Sequence, residues 1–382
     1  MHKTGIEEHF VLKDGKKLFF GYTTGTCAAA AAKAAVYMLL TGKKAEYVHI
    51  STPKGIELEL ETEDAHFDGK TAVCAVRKYS GDDPDVTDGL LIYAKVRLTQ
   101  DHEIKITGGK GVGRVTKPGL KQRIGEPAIN PVPMEMIRRA ASEAMDDIGE
   151  SCGAEIEISV PNGEETAKKT FNPKLGITGG ISILGTSGIV EPMSEEALVG
   201  SIELEIRQKH TLGEDTLLLT PGNYGADFLR NTFGIHEDEQ VKCSNFIGRA
   251  LDAGAAAGFR RILLTGHIGK LVKLSGGIMN THSREGDARA ELMAGCALMA
   301  GADAELCRCI LGCVTTDEML RIMKDADILE KCMSIMGEKI YAALKNRVRE
   351  QAEVGYIVFS EEYGVLCMSD NARHWIDEHK KR

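Results

Sequence analysis

Four stretches of the chain bring together residue types that can do chemistry. The first, Gly21-Tyr22-Thr23-Thr24-Gly25-Thr26-Cys27, sets three threonine hydroxyls and a thiol directly ahead of an alanine run. If a helix starts there, its free N–H groups and the hydroxyls of Thr24 and Thr26 suit an anionic group. Threonine is equally the residue of an ordinary N-cap. Cys27 at a helix start could be a nucleophile with a lowered pKa, but no His/Asn set accompanies it, so it reads as a packed thiol. The second stretch, Gly81-Asp82-Asp83-Pro84-Asp85-Val86-Thr87-Asp88-Gly89, offers Asp83 as a base and Asp85 as a substrate contact, or else a solvated acidic turn. Pro84 and Val86 break the spacing of an EF-hand loop. The third, residues 104–125, carries Lys105, Lys110, Arg114, Lys117, Lys121 and Arg123 with no acid among them, around Gly108-Gly109-Lys110-Gly111-Val112-Gly113. Such cations meet carboxylates or phosphates, and the glycines permit a concavity of N–H groups; a solvated basic loop is the plain alternative. The fourth is a set of turns in the second half: Gly185-Thr186-Ser187-Gly188, Pro221-Gly222-Asn223 and Thr265-Gly266-His267-Ile268-Gly269-Lys270, each behind a short apolar run.

These residues need elements to hold them. Residues 22–41 predict a helix capped by Thr23, Thr24 or Thr26 and stopped by Gly42. Strand patterns over 47–51 and 56–61 flank Thr52-Pro53-Lys54-Gly55, a hairpin signal. Strands continue over 72–78, 90–99 and 103–107, then a helix over 133–148 and a strand over 155–160. That order predicts an α+β domain over 1–175. From Gly176 the rhythm changes to strand, glycine turn and helix, with helices over 194–210, 224–233 and 245–257 and apolar runs at 181–184, 216–220 and 261–264. This is the pattern of a parallel α/β domain, 176–382. In such a sheet the glycine turns line the carboxyl edge, where ligands bind. Gly185, Thr186, Ser187, Gly188, Gly222, Asn223 and Gly266 are therefore the expected cofactor contacts, with His267 as base and Lys270 as anion contact. No acid suited to a ribose follows 216–220, so an ordinary NAD site is not expected. Cys307-x-Cys309-x3-Cys313 lacks the paired spacing of a zinc site and reads as core packing; no protein metal site is expected.

Composition excludes several classes. Of 382 residues, 43% are hydrophobic and 27% charged, a globular balance. A net charge of −9 and an aromatic content of 5% argue against nucleic acid or anionic lipid as partner. Lys3, Glu7 and Glu8 interrupt any leader-like apolar run, and no later stretch is long and apolar enough for a bilayer. A cytoplasmic protein with reduced cysteines is the expectation, with homo-oligomer formation left open.

The motifs also carry a resemblance. Gly21 to Ala35, the Gly81–Thr87 stretch, and Thr107–Gly113 with Pro118-Gly119-Leu120 resemble the signatures of the CbiD family, the cobalt-precorrin-5B C1-methyltransferases of anaerobic cobalamin biosynthesis. The 177–193 and 265–282 stretches are similar to that family's C-terminal half. Asp88 departs from the pattern, in which His is common. The resemblance implies S-adenosylmethionine as methyl donor, a small-molecule cobalt-tetrapyrrole as substrate, an N-terminal domain like the second domain of ribosomal protein S5, and a Rossmann-like C-terminal domain. With such a substrate, Lys110, Arg114, Lys117 and Arg123, with the hydroxyls of Thr24 and Thr26, are expected to meet the ring carboxylates, Asp85 is a further expected substrate contact, the donor is expected on the second-half turns, and His267 or Asp83 is the expected base. The cobalt belongs to the substrate. Two other classes remain open on the residues alone: a phosphate-handling enzyme, against which the lack of a P-loop weighs, and a corrinoid carrier without turnover.

Overall fold

Contacts divide the chain into two units, Met1–Ser194 and Glu195–Arg382; the computed structural model describes residues 3–13 and 15–379. The boundary falls later than the expected 175/176, and the reason lies in the strands described below.

In the first unit the hairpin β1 (Phe10–Lys13) and β2 (Lys16–Phe19) leads through β3 (Gly21–Tyr22) into helix α1 (Thr24–Thr41). Both predicted caps form: Thr23 stays extended and its side chain accepts the Thr26 N–H, while Gly42 turns left-handed at φ 68° and its N–H returns to the Met38 carbonyl. β4 (Tyr47–Ser51) and β5 (Glu57–Glu61) form the predicted antiparallel hairpin. There follow β6 (Glu63–Phe67), β7 (Ala72–Arg77), β8 (Leu91–Thr99), β9 (Ile104–Gly108) and the two-residue strands β10 (Gly111–Val112) and β11 (Arg114–Val115). Then come α2 (Pro131–Asp146), β12 (Gly153–Ser159), α3 (Gly163–Ala167), β13 (Ile177–Thr178), β14 (Gly180–Ile181) and β15 (Ile189–Val190). The main sheet has the order β6-β7-β8-β12-β9, antiparallel except for β12 against β9. α1 packs on β7, β8 and α2. Its Ala28–Ala32 run is fully buried, and side chains this small let the helix approach closely. Lys33, on the same helix, reaches Glu143 of α2 at 2.8 Å.

The 177–190 segment does not open the α/β half. β13 pairs with β11, β14 with β10 and β15 with β3, so it closes the first unit.

The second unit runs α4 (Glu195–Thr211), β16 (Thr216–Thr220), α5 (Asn223–Phe233), β17 (Gln240–Lys242), α6 (Ile247–Ala257), β18 (Arg261–His267) and the short α7 (Ile268–Leu271). It continues with α8 (Arg289–Ala300), α9 (Ala304–Leu311), α10 (Thr316–Asp325), α11 (Leu329–Val348), β19 (Glu353–Ser360), β20 (Gly364–Met368) and α12 (Asp370–His379). The sheet order is β17-β16-β18-β19-β20, parallel except for β20. Both faces are covered. Leu217, Leu219, Ile262 and Leu264 join one core, while Leu218, Leu263 and Ile357 meet Trp375 and Ile376 of α12 on the other. That explains the unbroken apolar runs. The chain moves outward from β16 to β17 and then crosses back to β18, so strand order reverses between β16 and β18.

Cys309 is exposed, contrary to the packed reading of its segment, because α9 fully buries only Ile310. Among the described residues no cluster of three or more His, Cys, Asp or Glu is placed to hold a metal ion, and no helix is long and apolar enough to cross a membrane.

Candidate functional site

β16 and β18 end side by side, and the chain leaves each through a glycine turn. At the point where strand order reverses, an open parallel sheet leaves a crevice beyond its carboxyl ends. Here a cavity of about 610 Å³ lies against 221–225 after β16, and His267, Gly269 and Lys270 after β18, with Arg289, 315–317 and Glu361 completing it. The size suits a small organic ligand. Gly222 is the N-cap of α5 at φ 141° and ψ −167°, with no side-chain cap. Only glycine adopts that backbone readily, and the first-turn N–H groups of α5 have no intrahelical partner.

His267 caps α7. Its Nδ1 accepts the Gly269 N–H at 3.1 Å. With Nδ1 an acceptor, the neutral ring carries its proton on Nε2, so the imidazole presents a donor. To act as a base it would first have to give up the cap. The base role expected for His267 therefore does not follow from its geometry. Its ring stands edge-on to Phe359, 5.6 Å between centroids, and 6.4 Å from Tyr224. Lys270 Nζ donates to the Pro221 carbonyl at 2.7 Å and so ties the two turns together. Burial lowers its pKa, the Cys243 thiol opposes this, and Lys273 adds to the lowering. Burial pushes the Cys243 thiol itself up to about 12, which leaves it inert. Asn223 lines the cavity while its Oδ1 accepts from Lys242 at 2.9 Å. Gly266 lies inside β18 and is buried; a Cβ there would meet Leu271 at 3.0 Å. It serves packing of α7 rather than the cavity wall.

The expected place of Gly185, Thr186, Ser187 and Gly188 on the second unit's sheet edge is not where the chain puts them. They belong to the first unit and seal the start of α1. Thr24 Oγ1 accepts the Leu184 N–H at 2.9 Å, and Thr26 Oγ1 donates to the Gly188 carbonyl at 2.6 Å. The N–H groups of Thr23 and Gly25 donate to Gly188 and Leu184. Thr24 is 3% exposed and Thr26 0%. Their hydroxyls are spent inside the fold, which leaves none for a ring carboxylate. Cys27 is fully buried as well, and burial pushes its thiol up to about 12 against the opposing charge of Lys78.

The acidic loop is likewise committed. Asp82 accepts the Phe19 N–H at 2.6 Å, Asp83 the Met193 N–H at 2.7 Å, and Asp88 the Ser80 N–H at 2.7 Å. Asp85 accepts from the Thr87 N–H and hydroxyl at 2.8 and 2.7 Å and pairs with buried Lys78 at 3.1 Å. Asp83 as a base and Asp85 as a substrate contact both lose support, since each side chain already holds the fold.

The basic stretch behaves differently. Lys105 is paired with Asp101 and Glu103, and the glycines do not form an anion cradle. Gly109 and Gly113 donate to Ile158 and Ile181, and a Cβ on Gly111 would fall 1.8 Å from the Val160 carbonyl. Lys110, Arg114, Lys117, Lys121 and Arg123 are all exposed. Among the described residues none of them is paired with a carboxylate; Arg114 donates to the Gly125 carbonyl at 3.0 Å. The segment folds back on itself through the Gly125 N–H to the Val115 carbonyl, which gathers Arg114, Lys117, Lys121 and Arg123 on one lobe.

Sequence reasoning missed Tyr224, Arg289, Thr316, Asp317 and Glu361. Thr315-Thr316-Asp317 was readable as a helix start; its place beside β18 was not.

Comparison with known proteins extends over both units. The CbiD family model matches residues 11–192, and the model of the CbiD C-terminal domain matches 280–370. A protein of Alkaliphilus metalliredigens named cobalt-precorrin-5B C(1)-methyltransferase is 47% identical over 96% of this chain and 96% of its own length. Proteins of the same name from Ruminiclostridium cellulolyticum and Thermoanaerobacter sp. are 48% identical over 93% of this chain and 92% of theirs, and 46% identical over 96% and 100%. A crystal structure of the cobalamin biosynthesis protein cbiD from Archaeoglobus fulgidus is 33% identical, covering 72% of this chain and 87% of that one, with a TM-score of 0.40. With matches of this extent and identity across both units, the chain belongs to the CbiD family.

Proposed function

We infer that this chain methylates cobalt-precorrin-5B at C-1, with S-adenosylmethionine as donor, to give cobalt-precorrin-6A and S-adenosylhomocysteine in anaerobic cobalamin biosynthesis. The observation that carries the reading is near-half identity over almost the full length of relatives that bear this enzyme's name. Methyl transfer from a sulfonium needs no enzyme nucleophile, only in-line placement and exclusion of water. Inert, buried Cys27 and Cys243 are consistent with that.

The donor is assigned to the second-unit cavity, read as the ligand crevice of a Rossmann-like sheet. The uncapped start of α5, the Lys270 ammonium and the His267 N–H provide donors for its polar groups. The acceptor's rim carboxylates are assigned to Lys110, Arg114, Lys117 and Arg123 on the first unit, read as like the second domain of ribosomal protein S5. Cations without a carboxylate partner in the protein are free to take external ones. Thr24, Thr26, Asp83, Asp85 and the 185–188 loop act one step back, as the frame of that unit.

The direct test is mass spectrometry of the tetrapyrrole after incubation with the chain and S-adenosylmethionine. A gain of one methyl is expected, and a bound but unchanged ring would instead make the protein a carrier. Reversing Arg114, Lys117 and Arg123 to Glu is expected to raise the KM for the ring by about 10- to 100-fold, and adding salt to raise it in the wild type but not in the variant. An unchanged KM would move the ring elsewhere. His267→Ala is expected to weaken S-adenosylmethionine by roughly 3- to 30-fold, the range of one or two lost donor bonds, with kcat at saturating donor unchanged. A collapse of kcat with loss of one limb of its pH profile would restore His267 as a base.

A further inference from the structure

Lys270, Arg289, Asp317 and Glu361 are the four Lys, Arg, Asp and Glu side chains that line the second-unit cavity, and their states differ by sign. The cations are engaged: Lys270 with the Pro221 carbonyl at 2.7 Å, and Arg289 with both oxygens of Asp287 at 2.6 and 2.8 Å. The carboxylates are not. Among the described residues neither Asp317 nor Glu361 has an ion pair or a side-chain hydrogen bond. With Arg289 balanced by Asp287, the two carboxylates stand against the single Lys270 ammonium, whose carbonyl partner is neutral, so the wall is net negative. Asp317 stands in the first turn of α10. Beside it Thr316 lines the same cavity, 4% exposed, and its hydroxyl has no partner among the described residues. That hydroxyl lies 3.7 Å from where a Cβ on Gly269 would stand, so it is aimed at the turn behind β18. A hydroxyl that borders the cavity from an otherwise buried residue marks a place that a polar ligand atom completes.

We propose that Asp317 and Glu361 select the positively charged sulfonium donor over its neutral thioether product. The inference rests on S-adenosylmethionine occupying this cavity. In the transfer, an electron pair of the ring carbon forms the new C–C bond. The pair of the broken C–S bond returns to sulfur, which passes from cation to neutral thioether. A negative wall stabilises the first state and not the second. Product then leaves a site that has lost its attraction, and anionic nucleotides are disfavoured at the same place. The two carboxylates are positioning residues: the positive charge is dispersed in the transition state, so their effect falls on donor affinity more than on turnover.

Isothermal titration of the full chain with S-adenosylmethionine and with S-adenosylhomocysteine tests this. The wild type is expected to bind the sulfonium more tightly. The double variant Asp317→Asn, Glu361→Gln is expected to weaken S-adenosylmethionine by on the order of tenfold while leaving S-adenosylhomocysteine within about twofold. Asp317→Glu, which keeps the charge, should retain the preference and shows whether the helix start tolerates change. Equal affinities in the wild type, or equal shifts of both ligands in the double variant, overturn the selection while leaving the donor site standing. A wild type that binds neither molecule overturns the donor reading itself.

Discussion

Asp85→Ala is expected to cost the first unit about 3–5 kcal/mol, the range for removing one partner of a buried ion pair. Lys78 is 2% exposed, and its ammonium is met by Ser80 Oγ at 2.6 Å and Asp85 at 3.1 Å. Without the carboxylate the charge stays buried and uncompensated. Urea unfolding should show the loss, and pairing Asp85→Leu with Lys78→Met should recover most of it, because an apolar pair of similar volume removes both charges together. A variant that loses less than about 1 kcal/mol would mean that water reaches Lys78. The same pair gives a pH dependence. Burial works to raise the Asp85 pKa, but the Lys78 charge and the Thr87 hydroxyl and N–H outweigh it, and the carboxyl is held below the usual range. A depressed folded pKa means that the stabilisation is complete above the unfolded value of about 3.9 and is lost as pH falls from there through the folded value. Asp85→Asn should flatten that acid limb and leave the neutral-pH slope unchanged.

Gly111→Ala is expected to be as damaging, for a reason of shape. Gly111 has φ +74°, and a Cβ there would stand 1.8 Å from the Val160 carbonyl oxygen. Cβ atoms added at Gly163 or Gly180 would each fall 2.1 Å from the Gly111 carbonyl oxygen. Three backbones thus touch at one place, and no flexible side chain is present to yield. Overpacking of roughly 1–3 kcal/mol and a left-handed non-glycine residue of roughly 1–2 kcal/mol add to about 2–5 kcal/mol. Gly125→Ala is the control: it is also left-handed, at φ +89°, but has no atom within 4 Å of its Cβ position, so only the conformational part should appear. Similar losses at the two positions, measured by thermal melting, would remove the packing argument.

The contrast between these sites and the cavity shows what was legible in the sequence. The ends of α1 were, because Thr23 and Gly42 act on their own helix. So was the hairpin at 52–55, and so were β16 and β18, whose apolar runs reflect burial on both faces. The basic lobe was legible because exposed cations need no partner to be what they are. The 177–190 segment was misassigned for a physical reason: an apolar run ahead of Gly-Thr-Ser-Gly looks like a βα turn, and its true strands are two-residue pieces whose partners lie far back in the chain. The threonines and aspartates of the first two motifs were right in kind and wrong in orientation. Spacing cannot tell a hydroxyl that faces a ligand from one that faces Leu184. Asp317 and Glu361 escaped notice because the helix that carries the one and the turn between β19 and β20 that carries the other were not anticipated, and nothing local to either residue announces the cavity.

The seal on α1 also has a meaning in time. Thr24 and the Leu184 N–H that donates to its hydroxyl are 160 residues apart. At roughly 5–20 residues per second of synthesis, that separation is a wait of roughly 8–30 s. For that interval the residues of α1 lack the 184–188 partners that close its first turn. Closure arrives with residues 182–190, immediately ahead of Glu195, where the second unit begins. The latch is therefore one of the last pieces of the first unit to be made, and it is delivered just before the next sheet starts to emerge. The order of synthesis thus allows the first unit, with its own core, to close before the second is complete.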